Sequence, residues 1–217
     1  MNSTINHLKF FIVLFSSISI SACFEDSYGR APKVVKIGRQ EWMLENLNVE
    51  TFRNGDKIRQ AKSEDEWYEA GKEGKSAWCY YNFDSTYSVY GRLYNWYAVA
   101  DPRGIAPKGF RIPNDSDWIV LTEFLGDDEN IGLKLKSKEE WPQGSEGNNI
   151  SGWSGLPRGF VHKDATSKYL GEVGYWWSLT SSGSKVASYY ALYSTSQNLG
   201  KRENWKSVGY SVRCIKE

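Results

Sequence analysis

The sequence predicts a mixed α+β domain, with helices in its first two thirds and strands gathered beyond residue 150. Two patterns carry this. Before residue 126, apolar side chains recur at i, i+3, i+4 and i+7 behind capping residues, the spacing of helices with one buried face. Beyond residue 150, short β-prone runs alternate with Gly and Ser turns. Composition adds a third observation: ten Trp, 14 Tyr and nine Phe make 15% of the 217 residues, so rings must fill a dense core or stand on a surface as binding platforms. Lys+Arg 27 against Asp+Glu 26 leaves a formal charge of +1, which gives no basic field for a phosphate backbone and argues against nucleic acid as a partner. With 40% hydrophobic and 24% charged residues, the chain is neither bulk-disordered nor multi-spanning. Its length suits one globular unit.

Residues 1–22 read as an address. Lys9 precedes the apolar run Phe10 to Ile20, which is too short for a bilayer span of about 20 residues and fits the roughly 7 to 15 of a signal-peptide core. Ser21 and Ala22 lead directly into Cys23, and this resembles the lipobox of a bacterial lipoprotein. The resemblance implies cleavage before Cys23 and acylation of its thiol and new amino group; an ordinary secretory peptide with a chance cysteine is the alternative. Several acyl chains, at about 0.8 kcal/mol per buried CH₂, would anchor the protein stably. Glu25 and Asp26 resemble the acidic tag of lipoproteins moved to the outer face of the outer membrane. The expected location is therefore the bacterial outer membrane, with residues 23–32 as a short tether and 33–217 as the folded domain. A lipidated Cys23 leaves Cys79 and Cys214 in an oxidising compartment. They form either one bridge, closing a loop of about 135 residues worth about 4 to 5 kcal/mol, or two buried thiols.

The folded part opens on Val34 to Gly38 and Gln40 to Leu44, two β-prone runs around Gly-Arg that predict a hairpin. Ser63-Glu64-Asp65-Glu66 has the spacing of a capping box and Gly71 a stop, predicting a short helix over 64–70. Leu93, Trp96, Tyr97 and Ala100 predict an amphipathic helix of about ten residues ending near Asp101-Pro102. Trp118, Leu121, Thr122 and Leu125 repeat that spacing after Asn114 and Asp115, with Gly126 as terminator. Strands follow at Tyr175 to Leu179, Ala187 to Tyr193 and Tyr210 to Ile215.

Several motifs then occur in a specific order: Lys36 to Leu47 (KIGRQEWMLENL), Ala77 to Asn82 (AWCYYN), Tyr90 to Trp96 (YGRLYNW), Ala106 to Pro113 (APKGFRIP), Gly174 to Ser178 (GYWWS) and Gly209 to Cys214 (GYSVRC). In this order they resemble the Fibrobacter succinogenes major paralogous domain family, over roughly residues 33–216. The resemblance implies a C-type lectin-like fold, related more distantly to the formylglycine-generating enzyme domain, with two main helices packed on twisted antiparallel sheets. Many members carry a cysteine where this chain has Ala106, and another shortly before the Tyr-Gly-Arg-Leu-Tyr motif, where it has none. Those departures leave Cys79 and Cys214 as each other's only possible partners, and a disulfide between them is the expectation.

No enzyme motif survives its chemistry. The related oxidases hold copper with a pair of free thiols, whereas Cys79 and Cys214 each lie in a structural-looking segment; one imidazole, His162, cannot build an iron site. Gly74-Lys75-Ser76 lacks the first glycine of a phosphate loop, and Ser182 to Lys185 sits in a Gly/Ser turn without the companion motifs of an acylating serine. Gly152-Trp153-Ser154-Gly155 is one residue short of a nucleophile elbow. Asp127-Asp128-Glu129-Asn130 offers hard oxygens to calcium, but reads better as a solvated acidic loop, and the calcium segments of animal C-type lectins are absent. No catalysis, metal or cofactor is expected.

The aromatic C-terminal third is the candidate surface. Strand alternation predicts that one of Trp176 and Trp177, and one of Tyr189 and Tyr190, faces out. Trp176, Trp177 and Tyr210 fit core better than platform. The polar stretch Ser194 to Lys206 reads as a recognition loop on a rigid scaffold. The candidates are Tyr190, Tyr193, Asn198, Arg202, Asn204 and Trp205, rings and forked donors of the kind that anchor interfaces. Two functions follow as expectations: a lipid-anchored module recognising an extracellular glycan or protein, or an accessory subunit of an outer-membrane protein complex with its aromatic face buried against a larger partner.

Overall fold

The computed structural model describes residues 32–126 and 129–217, so the leader, Cys23, Glu25 and Asp26, and Asp127 and Asp128 of the acidic loop, lie outside the described residues. The hairpin forms as the sequence predicts: β1 (Val34–Ile37) pairs antiparallel with β2 (Gln40–Met43). Gly38 turns it at φ +59°, and a Cβ there would lie 2.7 Å from the ring of Phe124, so only glycine allows both the turn and the packing. After β3 (Arg59–Gln60) comes α1 (Glu64–Glu73), where Ser63 Oγ accepts from the Glu66 N–H and three acids face the positive helix end. The helix runs past Gly71 and stops at Gly74, in the left-handed conformation. Gly71 serves close packing instead, because a Cβ there would lie 2.8 Å from Ser207 Cβ.

The next prediction is corrected. In place of a ten-residue helix the chain forms β4 (Ala77–Cys79), β5 (Leu93–Asn95) and a single turn, α2 (Trp96–Val99). Tyr94 pairs with Trp78 on one side and Tyr210 on the other, and Asn95 caps the turn by accepting from the Ala98 N–H. Pairing and a cap outweigh the helical spacing.

After β6 (Phe110–Arg111), α3 (Asp115–Leu125) agrees with the sequence reading, capped by a reciprocal Asn114 and Asp117 box and closed at Gly126. There follow α4 (Ile131–Leu135), β7 (Arg158–Val161), β8 (Ser167–Leu170), β9 (Val173–Ser181), β10 (Val186–Tyr193), β11 (Leu199–Trp205), β12 (Gly209–Tyr210) and β13 (Ile215–Lys216). The strands make three sheets, ordered β1-β2-β13-β6, β3-β4-β5-β12-β7-β8 and β11-β10-β9, all antiparallel except the β3/β4 pair. This is the α+β class expected, with α1 and α3 as its two main helices and a strand-rich C-terminal half.

The expected strand from Tyr210 to Ile215 is two short strands in different sheets. Between them Ser211 bridges Trp176 of β9 and accepts from the Trp177 N–H, so one short segment ties all three sheets together. The expected recognition loop is largely β11, paired along its length with β10.

The β9/β10 ribbon is covered on both faces, which overturns the expectation of one exposed ring per pair. Tyr175, Trp177, Tyr189 and Ala191 enter one core cluster, and Trp176, Tyr190 and Leu192 enter a second. Trp42, Trp118, Trp153 and Trp176 form the heart of that second cluster, with ring centroids 4.8 to 6.2 Å apart. Cys79 and Cys214 are buried free thiols, not a disulfide. Cys79 packs beneath α1 with Ala61, Trp67 and Leu93, whereas Cys214 belongs to a different cluster with Met43, Phe110 and Val212. Burial pushes both thiols up, Cys214 to about 12.

Candidate functional site

β11 is an edge strand, and its alternation sorts the candidate residues. Arg202 stands opposite Tyr189, Asn204 opposite Ala187, and Gly200 opposite Ala191. These share the face of Tyr175, Tyr189 and Tyr210, three rings packed at 4.8 to 5.8 Å. Tyr193 extends this group, edge-on to Tyr175 at 6.3 Å, and its ring lies across Gly200, where a Cβ would approach within 2.9 Å. Asn204 Nδ2 donates to the Tyr210 hydroxyl at 2.7 Å, and its Oδ1 accepts from the Trp205 N–H at 2.8 Å. The phenols beneath are neutral: burial raises Tyr175 and Tyr210 well above the ordinary value and Tyr189 to about 12.

Above this floor Arg202 is exposed; Trp205, one residue out of step and opposite Val186 at the end of β11, is 40% exposed. The Lys163 ammonium, from the turn between β7 and β8, lies 4.2 Å from the Trp205 ring centroid, a cation–π contact. Asn198 is exposed in the turn before β11, where its N–H donates to Ser196 Oγ. Tyr193, Arg202, Asn204 and Trp205 are thus brought to one strand pair, with Asn198 at its end. Tyr190 is not. It is 4% exposed and stacks on Trp118 at 4.4 Å, so its role is packing between β10 and α3.

Sequence reading missed Lys163, and Tyr169, which is half exposed and stacks on Phe160 of the same tyrosine-rich cluster. Both come from the β7/β8 hairpin, and no local signal links that hairpin to β11. It read Asp115 only as a helix-start residue and missed its tie to β11: the carboxylate takes a 2.7 Å ion pair from Lys201 and holds that strand to the start of α3. Burial pushes Asp115 up, but Lys201 and the Ser178 hydroxyl outweigh it and leave the carboxyl below its usual range. Among the described residues, no group of three or more His, Cys, Asp or Glu is placed to share a metal ion, and no helix is long and apolar enough to cross a membrane.

The fold and this surface define a mixed α+β domain whose aromatic residues build its core and leave a narrow ring-and-cation strip on an edge strand. The chain belongs to the Fibrobacter succinogenes major domain family, whose model matches residues 35–216. No curated protein and no solved structure matches it.

Proposed function

We propose that this protein is a lipid-anchored extracytoplasmic binding module with a C-type lectin-like fold. It recognises a glycan or a protein through the β11 strip of Tyr193, Asn198, Arg202, Asn204 and Trp205, supplemented by Lys163. One observation carries the reading. In a domain that encloses nine of its ten tryptophans wholly or in part, Trp205 stands 40% exposed, under the Lys163 ammonium and on the same paired strand as the exposed Arg202. A ring held on a rigid element offers stacking area at little entropic cost, and Arg supplies a forked donor. The accessory-subunit reading depends on an aromatic face left open for a larger partner. Most rings of that face pack within the domain, which favours the module.

The site as described requires neither metal nor catalysis. The test offers the full chain, in detergent, to immobilised glycans and to purified outer-membrane proteins, with and without chelator. Saturable binding to a member of either panel, unchanged by the chelator, is the expected result. Binding to neither panel, or binding abolished by chelation, contradicts the proposal.

A further inference from the structure

A buried cation without an anion lies away from the β11 strip. Arg213 is 1% exposed, yet its donors end on neutral oxygens. Its Nε and Nη2 donate to Asn46 Oδ1 at 3.2 and 2.9 Å, and Nη1 donates to the Trp153 carbonyl. Trp176 Nε1 donates to the same Asn46 oxygen at 2.9 Å, so three N–H groups share one amide acceptor. Among the described residues no carboxylate comes within ion-pair distance of Arg213. The Trp153 ring, 4.0 Å away, offers a cation–π contact that compensates only part of the lost hydration. Buried charges are ordinarily paired, because desolvation outweighs what neutral acceptors return. Burial lowers the Arg213 guanidinium to about 9, so it stays charged at neutral pH.

Arg213 lines a cleft of about 270 Å³ that also meets Glu45, Asn46, Tyr90 and Arg158. Arg158 is itself buried, forked onto Glu140 at 2.5 and 3.0 Å and stacked on Tyr90 at 4.5 Å. Two guanidinium groups therefore meet at the cleft, beside the neutral polar groups of Asn46, Asn48, Ser88 and Tyr90. Its one carboxylate, Glu45, is exposed at the edge, where its field favours the charged Arg213 without bonding to it. The volume suits one sugar-sized molecule and excludes a helix or a folded partner.

We propose that this cleft binds a small oxyanion, a carboxylate or a sulfate group on a sugar-sized molecule, with Arg213 as the buried counter-charge and Arg158 as the second cation. None of its residues belongs to the β11 strip, so the two sites fail or succeed separately.

Tryptophan emission of the purified full chain reports the site, because Trp153 touches Arg213. The chain is titrated at constant ionic strength with sodium glucuronate, sodium sulfate and glucose. A saturable change with at least one oxyanion and none with glucose is expected; a response to glucuronate alone assigns a carboxylate, to sulfate alone a sulfate group. Glu45→Gln removes the one carboxylate among the lining residues from an exposed position and should tighten binding about threefold or more, while Arg158→Gln should weaken it about tenfold. Glu45→Gln carries the test, since replacing Arg213, or the buried and Glu140-paired Arg158, perturbs folding as well as binding. No saturable response to either oxyanion, an equal response to glucose, or an unchanged affinity in either variant overturns the proposal.

Discussion

Asp117 shows how one side chain fixes both a helix start and a sheet edge. Its carboxylate accepts from Arg111 Nη1 and Nη2 at 2.5 and 2.7 Å and from the Asn114 N–H at 2.9 Å, while its carbonyl accepts from Gln40 Nε2 at 3.0 Å. Burial pushes the carboxyl up, but the Arg111 and Asn114 bonds outweigh it and hold it below the usual range. A lowered carboxyl contributes stability above the unfolded value, about pH 4, and loses that contribution as pH falls through the folded value. Asp117→Asn should therefore cost about 1 to 2 kcal/mol in urea unfolding at pH 7, with the deficit shrinking in strong acid. A deficit equal at both pH values contradicts this account. The thiols give a second prediction at this scale. Cys79 and Cys214 are fully buried and raised, so a thiol reagent should label neither in the native protein and both after denaturation without reductant. Labelling of neither after denaturation would restore the disulfide.

Among the elements, the β1/β2 turn and α3 meet through Gly38 and Phe124. Gly38→Ala should cost about 1 to 2 kcal/mol, part from positive φ and part from the Phe124 contact. Adding Phe124→Ala should recover only the contact part, so a double variant as unstable as Gly38→Ala alone places the whole cost in the backbone. What was legible in the sequence follows from how local each signal is. α3 carries its own caps at Asn114, Asp117 and Gly126, and the first hairpin its own turn, so both are read directly. The segment at Leu93 is a strand because Trp78 and Tyr210, distant in sequence, pair with it. β11 escaped because Lys201, Arg202 and Glu203 give it no apolar alternation; its regularity comes from pairing with β10. The candidate site was half legible for the same reason. Arg202 and Trp205 are surface residues on β11, whereas Tyr190, two-sided burial being invisible to a period-two reading, belongs to the core.

At the scale of the whole molecule, three sheets share the crossing segment between Tyr210 and Ile215, and the tyrosine-rich and tryptophan-rich clusters lie on opposite faces of β9 and β10. Such a body presents its edge strand rigidly, and the proposed anchor would hold it at a membrane. Cys23→Ser should leave an unprocessed, unlipidated protein that fractionates differently from the parent; normal acyl labelling and membrane retention would contradict the anchor. The most direct measurement of the binding account compares the full chain with the Arg202→Ala, Trp205→Ala double variant against the partner found on the panels. Both side chains are exposed on the edge strand, so the thermal midpoint should barely move, while affinity should fall by roughly 2 to 4 kcal/mol if both act as anchors. An unchanged affinity, or a variant that unfolds, would contradict it.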